Sequence, residues 1–129
     1  MDQLSHICTF GEYLDICKKC DKHSIVEIKQ PGLDKVAIKK IIDLIIKKGL
    51  KEKCYFISFD YHALELAREL APSIPSMYLI ETKSFRQNGI GREGMIRAIS
   101  NKQNVSCRHW LMTKKIMALA KANKVLTGV

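Results

Sequence analysis

Strand-like and helix-like segments alternate along the chain, and short connections separate them. Helices are predicted over about residues 9–20, 34–48, 60–71 and 113–123, with a shorter one over 95–100. Strands are predicted over 24–29, 54–59, 76–80, 104–107 and 124–129. Elements alternating at this spacing form right-handed β-α-β units around a parallel sheet. The sequence therefore predicts an α/β fold with about five parallel strands.

Local signals mark where several of these elements begin and end. Thr9 and Glu12 form a capping box at the start of the first helix, and Gly49 ends the second. Asp60 is the predicted N-cap of the third helix. Residues 54–59, CYFISF, are nearly all apolar, which predicts a strand buried on both faces. Residues 82–94 show the least regular pattern, so we predict a loop there.

Two architectures accommodate this order of elements. One is an open, doubly wound sheet, and the other is part of a TIM (β/α)8 barrel. A complete barrel needs about 250 residues. The chain has 129 residues, so a barrel chain of this length is about half of one.

The composition indicates a globular protein with excess positive charge. Hydrophobic residues make up 47% of the chain, and 22 basic against 13 acidic residues give a net charge of +9. The lysines are dispersed over predicted helix faces without interleaved aromatic residues, so we do not expect a nucleic-acid partner. The charge remains compatible with a polyanion or a phosphate-bearing substrate.

The first residues, MDQLSH, have neither a basic start nor an apolar stretch, and no apolar run is long enough to span a bilayer. The cysteines number five and are interpreted as reduced thiols. Cys17 and Cys20 form an isolated C-x-x-C inside a predicted helix, which favours a structural role over zinc binding. We therefore expect a cytoplasmic protein.

The candidate site lies in the first strand. Side chains alternate faces along a strand, so Glu27 and Lys29 point to one side while Val26 and Ile28 point to the other. Pro31 and the glycine after it end the strand. A carboxylate and an ammonium on the otherwise apolar side are costly unless they pair with each other or bind something. At the carboxyl end of a barrel strand, bound groups are typically metal and substrate.

Five segments in order resemble the glycerophosphodiester phosphodiesterase family. Residues 7–14 (ICTFGEYL) resemble its "IPTLEEYL" helix start, and residues 25–29 (IVEIK) resemble its "IEIK" strand. The other matching segments are 56–72, 77–79 and 109–125, and the agreement is weakest over 82–103. The resemblance implies that residues 1–129 form a single partial barrel domain, corresponding to the C-terminal half of the family's TIM barrel.

The family hydrolyses glycerophosphodiesters to glycerol 3-phosphate and an alcohol with a divalent cation, Ca²⁺ or Mg²⁺. The resemblance places Glu27 at a metal-ligand position and Lys29 near the substrate phosphate. The family's early "HRG", "E-x-D" and "HD" motifs, which supply its acid/base histidines and other carboxylates, have no counterpart here. No residue of this chain is therefore predicted to be catalytic, and we expect little activity from it alone.

Two classes of function remain open. The chain is a C-terminal part of a phosphodiesterase, or it is a non-catalytic α/β module that acts through self-association. Half a barrel leaves two unpaired sheet edges, so we expect a homo-oligomer. Side chains of Phe59, Phe85 and Trp110 are interpreted as core residues rather than as the lining of a pocket. The glycines of residues 89–91 are interpreted as a flexible loop.

Overall fold

The computed structural model describes residues 6–29, 32–81 and 90–128, with only the backbone described at residue 90. Its helices are α1 (Phe10–Lys19), α2 (Lys35–Lys47), α3 (Tyr61–Leu70), α4 (Ile90–Ser100) and α5 (Lys114–Ala122). Its strands are β1 (Ser24–Glu27), β2 (Cys54–Ser58), β3 (Ser76–Leu79), β4 (Asn104–Ser106) and β5 (Thr127–Gly128). Short 3₁₀ helices at Lys51–Lys53 and His109–Leu111 precede β2 and α5.

The strands form one parallel sheet in the order β1-β2-β3-β4-β5. A doubly wound sheet changes direction at a switch point, where the strand order reverses. No such reversal occurs among the described strands, so the open doubly wound alternative is wrong. The fold is part of a TIM barrel, with β1 and β5 at the two ends of the described sheet.

Side chains alternate between two unlike faces of this sheet. One face is buried beneath the helices and includes Val26 and Ile28 of the first strand segment and Phe56 of β2. The opposite face, which lines the interior of a barrel, is partly open. On it, Ile25 is 58% exposed and Tyr55 is 40% exposed.

The buried residues fall into two clusters that follow one another along the chain. The first draws its side chains from between Leu14 and Ile74, and the second draws them from between Ile80 and Val125. Tyr78 packs against both clusters. The helix layer therefore has two hydrophobic cores joined at β3.

The predicted caps are confirmed. Thr9 and Glu12 form the capping box of α1, and the side chain of Asp60 accepts hydrogen bonds at the start of α3. Asp34 and Thr113 cap α2 and α5 in the same way. Gly49 follows α2 with φ of +72°, a left-handed conformation that glycine adopts without steric cost.

Three expectations about local structure are wrong. Strand β2 is buried on one face only, because Tyr55 lies on the open interior face. The predicted loop extends too far, because α4 already begins at residue 90 and not at residue 95. The last strand is predicted from residue 124, but β5 begins only at Thr127. Most of the predicted loop, residues 82–89, lies outside the described residues.

None of the helices within these described ranges combines the length and apolar character needed to cross a bilayer.

Candidate functional site

Glu27 and Lys29 lie at the carboxyl end of β1 and project to the same side of the sheet. Val26 precedes Glu27 and Ile28 lies between the two, and both are buried on the opposite side. The Lys29 Nζ atom lies 3.5 Å from Oε2 of Glu27, and the two side chains are 78% and 29% exposed. The predicted geometry is confirmed. Since the lysine is mostly in water, its ammonium can turn toward an anion in the space above.

An open groove of about 680 Å³ lies beside this pair. Glu27, Ile28 and Lys29 line it from β1, and Phe59 and Asp60 line it from the end of β2. Phe59 is 50% exposed, so its interpretation as a core residue is wrong. The groove therefore offers a carboxylate, an ammonium and an aromatic ring at the carboxyl ends of two adjacent strands, where barrel proteins bind their ligands.

A buried serine connects the two strand ends that form the groove. The Ser58 hydroxyl donates to the carbonyl oxygen of Ile28 at 2.6 Å and accepts from the backbone N–H of Asp60 at 3.0 Å. Its side chain is fully buried. Ser58 thereby fixes the end of β1 against the start of the loop after β2, and it holds the two walls of the groove in register.

Both oxygens of the Asp60 carboxylate accept hydrogen bonds from backbone N–H groups. One oxygen accepts from the backbone N–H groups of His62 and Ala63 at 3.0 and 3.3 Å, as an N-cap does. The other accepts from the N–H of Gly32 at 3.3 Å. Asp60 thus joins the loop after β1 to the start of α3, which confirms the predicted capping role and adds a contact between loops.

A smaller cleft of about 80 Å³ adjoins the groove across Phe59. Its lining comes from the end of β3 and the start of α4: Tyr78, Leu79, Ile80, Glu81 and Gly91. The ring of Tyr78 packs edge-on against Tyr61, with 5.3 Å between centroids. Burial raises the pKa of the Tyr78 phenol, so this hydroxyl stays protonated at neutral pH and above.

The described residues do not make a complete cation site. No group of three His, Cys, Asp or Glu side chains with metal-binding geometry occurs in the ranges that the structure covers. Ca²⁺ takes six to eight oxygen ligands, and the described lining of the groove includes only the carboxylates of Glu27 and Asp60. The Cys17-x-x-Cys20 pair is split between a buried and an exposed thiol. His6 instead contacts Glu12 at 3.1 Å, far along the chain from the groove.

The half-barrel is similar to parts of two solved structures. It superposes with a TM-score of 0.73 and 18% identity on a protein described as a glycerophosphoryl diester phosphodiesterase from Silicibacter pomeroyi, over 92% of this chain. It superposes with a TM-score of 0.52 and 14% identity on a protein described as a glycerophosphodiester phosphodiesterase from Galdieria sulphuraria, over 91% of this chain.

The chain therefore has the fold of about half of the barrel seen in these two structures. The chain spans 43% of the Silicibacter structure and 57% of the Galdieria structure. This coverage is consistent with the C-terminal half that the sequence predicts. No protein-family model and no curated protein matches the sequence.

Sequence reasoning missed two features of this groove. The tie made by Ser58 depends on which residues of β1 and β2 lie opposite each other, and no local pattern reveals that register. Phe59 was judged by its apolar character alone. Its position three residues after the buried Phe56 places it on the interior face, which is a signal that strand alternation contains.

Proposed function

We propose that this chain supplies one part of a phosphodiester-hydrolysing site whose substrates are glycerophosphodiesters. The observation that carries the proposal is the placement of Glu27 and Lys29, side by side at the carboxyl end of a strand, in a half-barrel that superposes on phosphodiesterases. Lys29 binds a non-bridging oxygen of the substrate phosphate, since an exposed ammonium complements that charge. Phe59 contacts the glycerol or alcohol moiety.

Glu27 is proposed as one ligand of a Ca²⁺ or Mg²⁺ ion. The carboxylate suits a hard cation, but the remaining ligands must come from residues other than those described here. The proposal also requires that acid/base groups be supplied from elsewhere, because the family's early histidine motifs have no counterpart in this sequence and the described lining of the groove includes no histidine. The isolated chain is therefore expected to bind phosphate and to turn over little substrate.

Phosphate binding is tested by titrating the isolated chain with glycerol 3-phosphate and recording amide chemical shifts. We expect shifts at Ile28, Phe59 and Asp60 that disappear in Lys29→Met. Lys40→Met on α2 is the matched control and leaves the shifts unchanged. Shifts that persist in Lys29→Met would place phosphate elsewhere and contradict the proposed role of this lysine.

Catalysis is tested by a glycerophosphodiester hydrolysis assay with Ca²⁺ and with Mg²⁺. We expect no turnover above background, because general acid–base catalysis requires a positioned proton donor and acceptor. Robust metal-dependent turnover by the pure chain would show that the chain contains its own acid and base.

The second candidate is a non-catalytic α/β module that acts as a homo-oligomer. The partly exposed interior face of β1 and β2 favours it, since contiguous apolar surface of this kind attracts a partner. The five cysteines, all free thiols in the structure, support a reducing compartment such as the cytoplasm for either candidate. Sedimentation, described in the Discussion, tests the oligomer.

A further inference from the structure

Positive charge is concentrated in the last third of the chain. Residues 94–129 contain seven lysines and arginines and no acidic residue, whereas residues 1–93 contain the other fifteen basic and all thirteen acidic residues. Every ion pair found among the described residues lies between residues 6 and 69. The cations of the last third therefore present their charge to solvent without a neighbouring carboxylate from their own segment.

Part of this charge is gathered at the barrel mouth. Arg108, His109 and Trp110 follow the carboxyl end of β4, and Lys114 and Lys115 open α5; all five are exposed. We call residues 108–115 the basic rim. It lies at the same edge of the sheet as the groove beside Glu27, because parallel strands end on one side.

Two buried side chains anchor the basic rim to the second hydrophobic cluster. Leu111 is 5% exposed and Ile116 is 3% exposed, and both belong to the second hydrophobic cluster. The Thr113 hydroxyl accepts from the N–H of Ile116 at 3.3 Å and caps α5. The exposed side chains are thus displayed from an anchored turn. Trp110 belongs to this turn, and its side chain is 47% exposed.

We propose that the basic rim binds the surface of a membrane containing anionic phospholipids. Lysine and arginine are attracted to anionic headgroups, and tryptophan prefers the depth of the headgroup region. Helix α5 does not insert, because Ile116 and Ala120 of its apolar face are buried in the protein core. Contact is made by the rim alone, and it turns the mouth of the half-barrel toward the bilayer.

Two features favour a lipid surface over other occupants. Single-stranded nucleic acid binds through several aromatic side chains on which successive bases stack, and the rim has one. Strand β4 has β3 on one side and β5 on the other, so the rim does not lie at an end of the sheet where further strands would pair. The inference is independent of the proposed hydrolytic function.

Trp110 is the only tryptophan of the chain, so its fluorescence reports directly on the rim. The chain is titrated with vesicles of phosphatidylcholine, with and without phosphatidylserine. We expect a blue shift of the emission with the anionic vesicles only, and a loss of that shift as salt is raised, because screening weakens exposed charges. Equal responses to both vesicles, or no response to either, would overturn the proposal.

Charge reversal locates the binding surface. Lys114→Glu with Lys115→Glu is expected to weaken co-sedimentation with anionic vesicles at least about tenfold. Acidic residues are favourable in the first turn of a helix, so this variant should fold. Lys39→Glu with Lys40→Glu, an exposed pair on α2, makes the same change in net charge and is expected to bind nearly as well as the unmodified chain.

Equal losses in the two double variants would show that net charge alone drives binding, and would refute the rim as the site. A short nucleic-acid duplex is tested in parallel. If it binds through Lys114 and Lys115 while anionic vesicles do not, the rim is a nucleic-acid surface and the membrane proposal is wrong.

Discussion

At the scale of single residues, the buried hydroxyl of Ser58 is the clearest determinant of the groove. Ser58→Ala removes both hydrogen bonds that join the end of β1 to the loop after β2. We expect the free energy of unfolding to fall by about 1–3 kcal/mol, because buried backbone groups lose a partner. Urea unfolding followed by circular dichroism measures this loss.

Ser24→Ala is the control for this prediction. Ser24 is equally buried, but its hydroxyl makes a longer hydrogen bond, 3.4 Å to the carbonyl oxygen of Lys53. A smaller loss is expected there. If Ser24→Ala lowers the free energy of unfolding as much as Ser58→Ala does, the two hydrogen bonds of Ser58 contribute no more to stability than the single bond of Ser24.

Glu27 and Lys29, at the carboxyl end of β1, show how much of the site the sequence could predict. The side on which Glu27 and Lys29 lie follows from the period of two along a strand, so it was predictable. Their neighbours across the sheet depend on register, which arises only when β2 is in place. The metal and phosphate roles of the pair stay predictions, because a complete binding site involves residues beyond those described.

At the scale of elements, glycines at helix ends and inside helices have opposite roles. Gly49 has φ of +72° after α2, so Gly49→Ala is expected to destabilise the chain by about 1 kcal/mol. Gly11 lies within α1, and a Cβ atom there meets nothing closer than Cε of Lys48 at 4.0 Å. Gly11→Ala is therefore expected to stabilise by about 0.5–1 kcal/mol. Thermal unfolding of both variants measures the difference, and shifts of the same sign would contradict it.

The capping box of α1 makes that helix sensitive to acid. The Glu12 carboxylate accepts from the backbone N–H and hydroxyl of Thr9 and lies near His6, and these bonds hold its pKa below the usual value. The unfolded chain therefore takes up this proton at a higher pH than the folded chain. The stabilising effect is present above the unfolded pKa and is lost as pH falls through the folded pKa.

Comparison with Glu12→Gln tests this dependence. The stability difference between the two chains is expected to be larger near pH 6 than in acid, where the Glu12 carboxylate of the folded chain becomes protonated. Glu52→Gln, in the 3₁₀ helix before β2, removes a carboxylate outside the capping box and is the control. A constant difference across this range would show that the carboxylate charge is not what matters at the cap.

Element boundaries were predictable where a cap marks them and not elsewhere. The starts of α1 and α3 carry side chains that satisfy the first N–H groups, so a local pattern reveals them. The start of α4 was predicted too late because Gly91 and Gly94 have low intrinsic helix propensity, which favours a loop. In the folded chain Gly91 is buried, and a Cβ atom at Gly94 would lie 3.9 Å from the Tyr78 hydroxyl. Burial in the folded chain therefore offsets the loop preference of Gly91, whereas the space at Gly94 would admit a methyl group.

At the scale of the whole molecule, the open interior face is expected to cause self-association. Ile25 lies on this face in β1, and Ile25→Lys should lower the dimer fraction in sedimentation velocity at micromolar concentration. Val36→Lys on α2 is the control, since Val36 is 62% exposed but lies on the helix layer. A stable monomer before any substitution, or equal effects of the two lysines, would contradict the expectation.

The parallel half-barrel was predictable from the alternation of elements, but the exposure of its interior face was only partly so. A run such as residues 54–59 has the composition of a strand covered on both sides. In a full barrel the interior side chains are packed in layers. In this five-stranded sheet the inward-facing side chains of Tyr55 and Phe59 remain 40% and 50% exposed. Their full burial would require the further strands that close a barrel.

The unreversed strand order also bears on how the chain acquires its structure. Each strand pairs with the one before it in sequence, 20 to 30 residues away, so the sheet can grow strand by strand from β1. The first core is complete by Ile74, and the second draws on residues from Ile80 onward. We expect the segment up to β3 to become ordered during synthesis before α5 has been made. In hydrogen exchange, amides of β4 and α5 should open at lower free energy than those of β1 and β2, and uniform protection would instead indicate one cooperative unit.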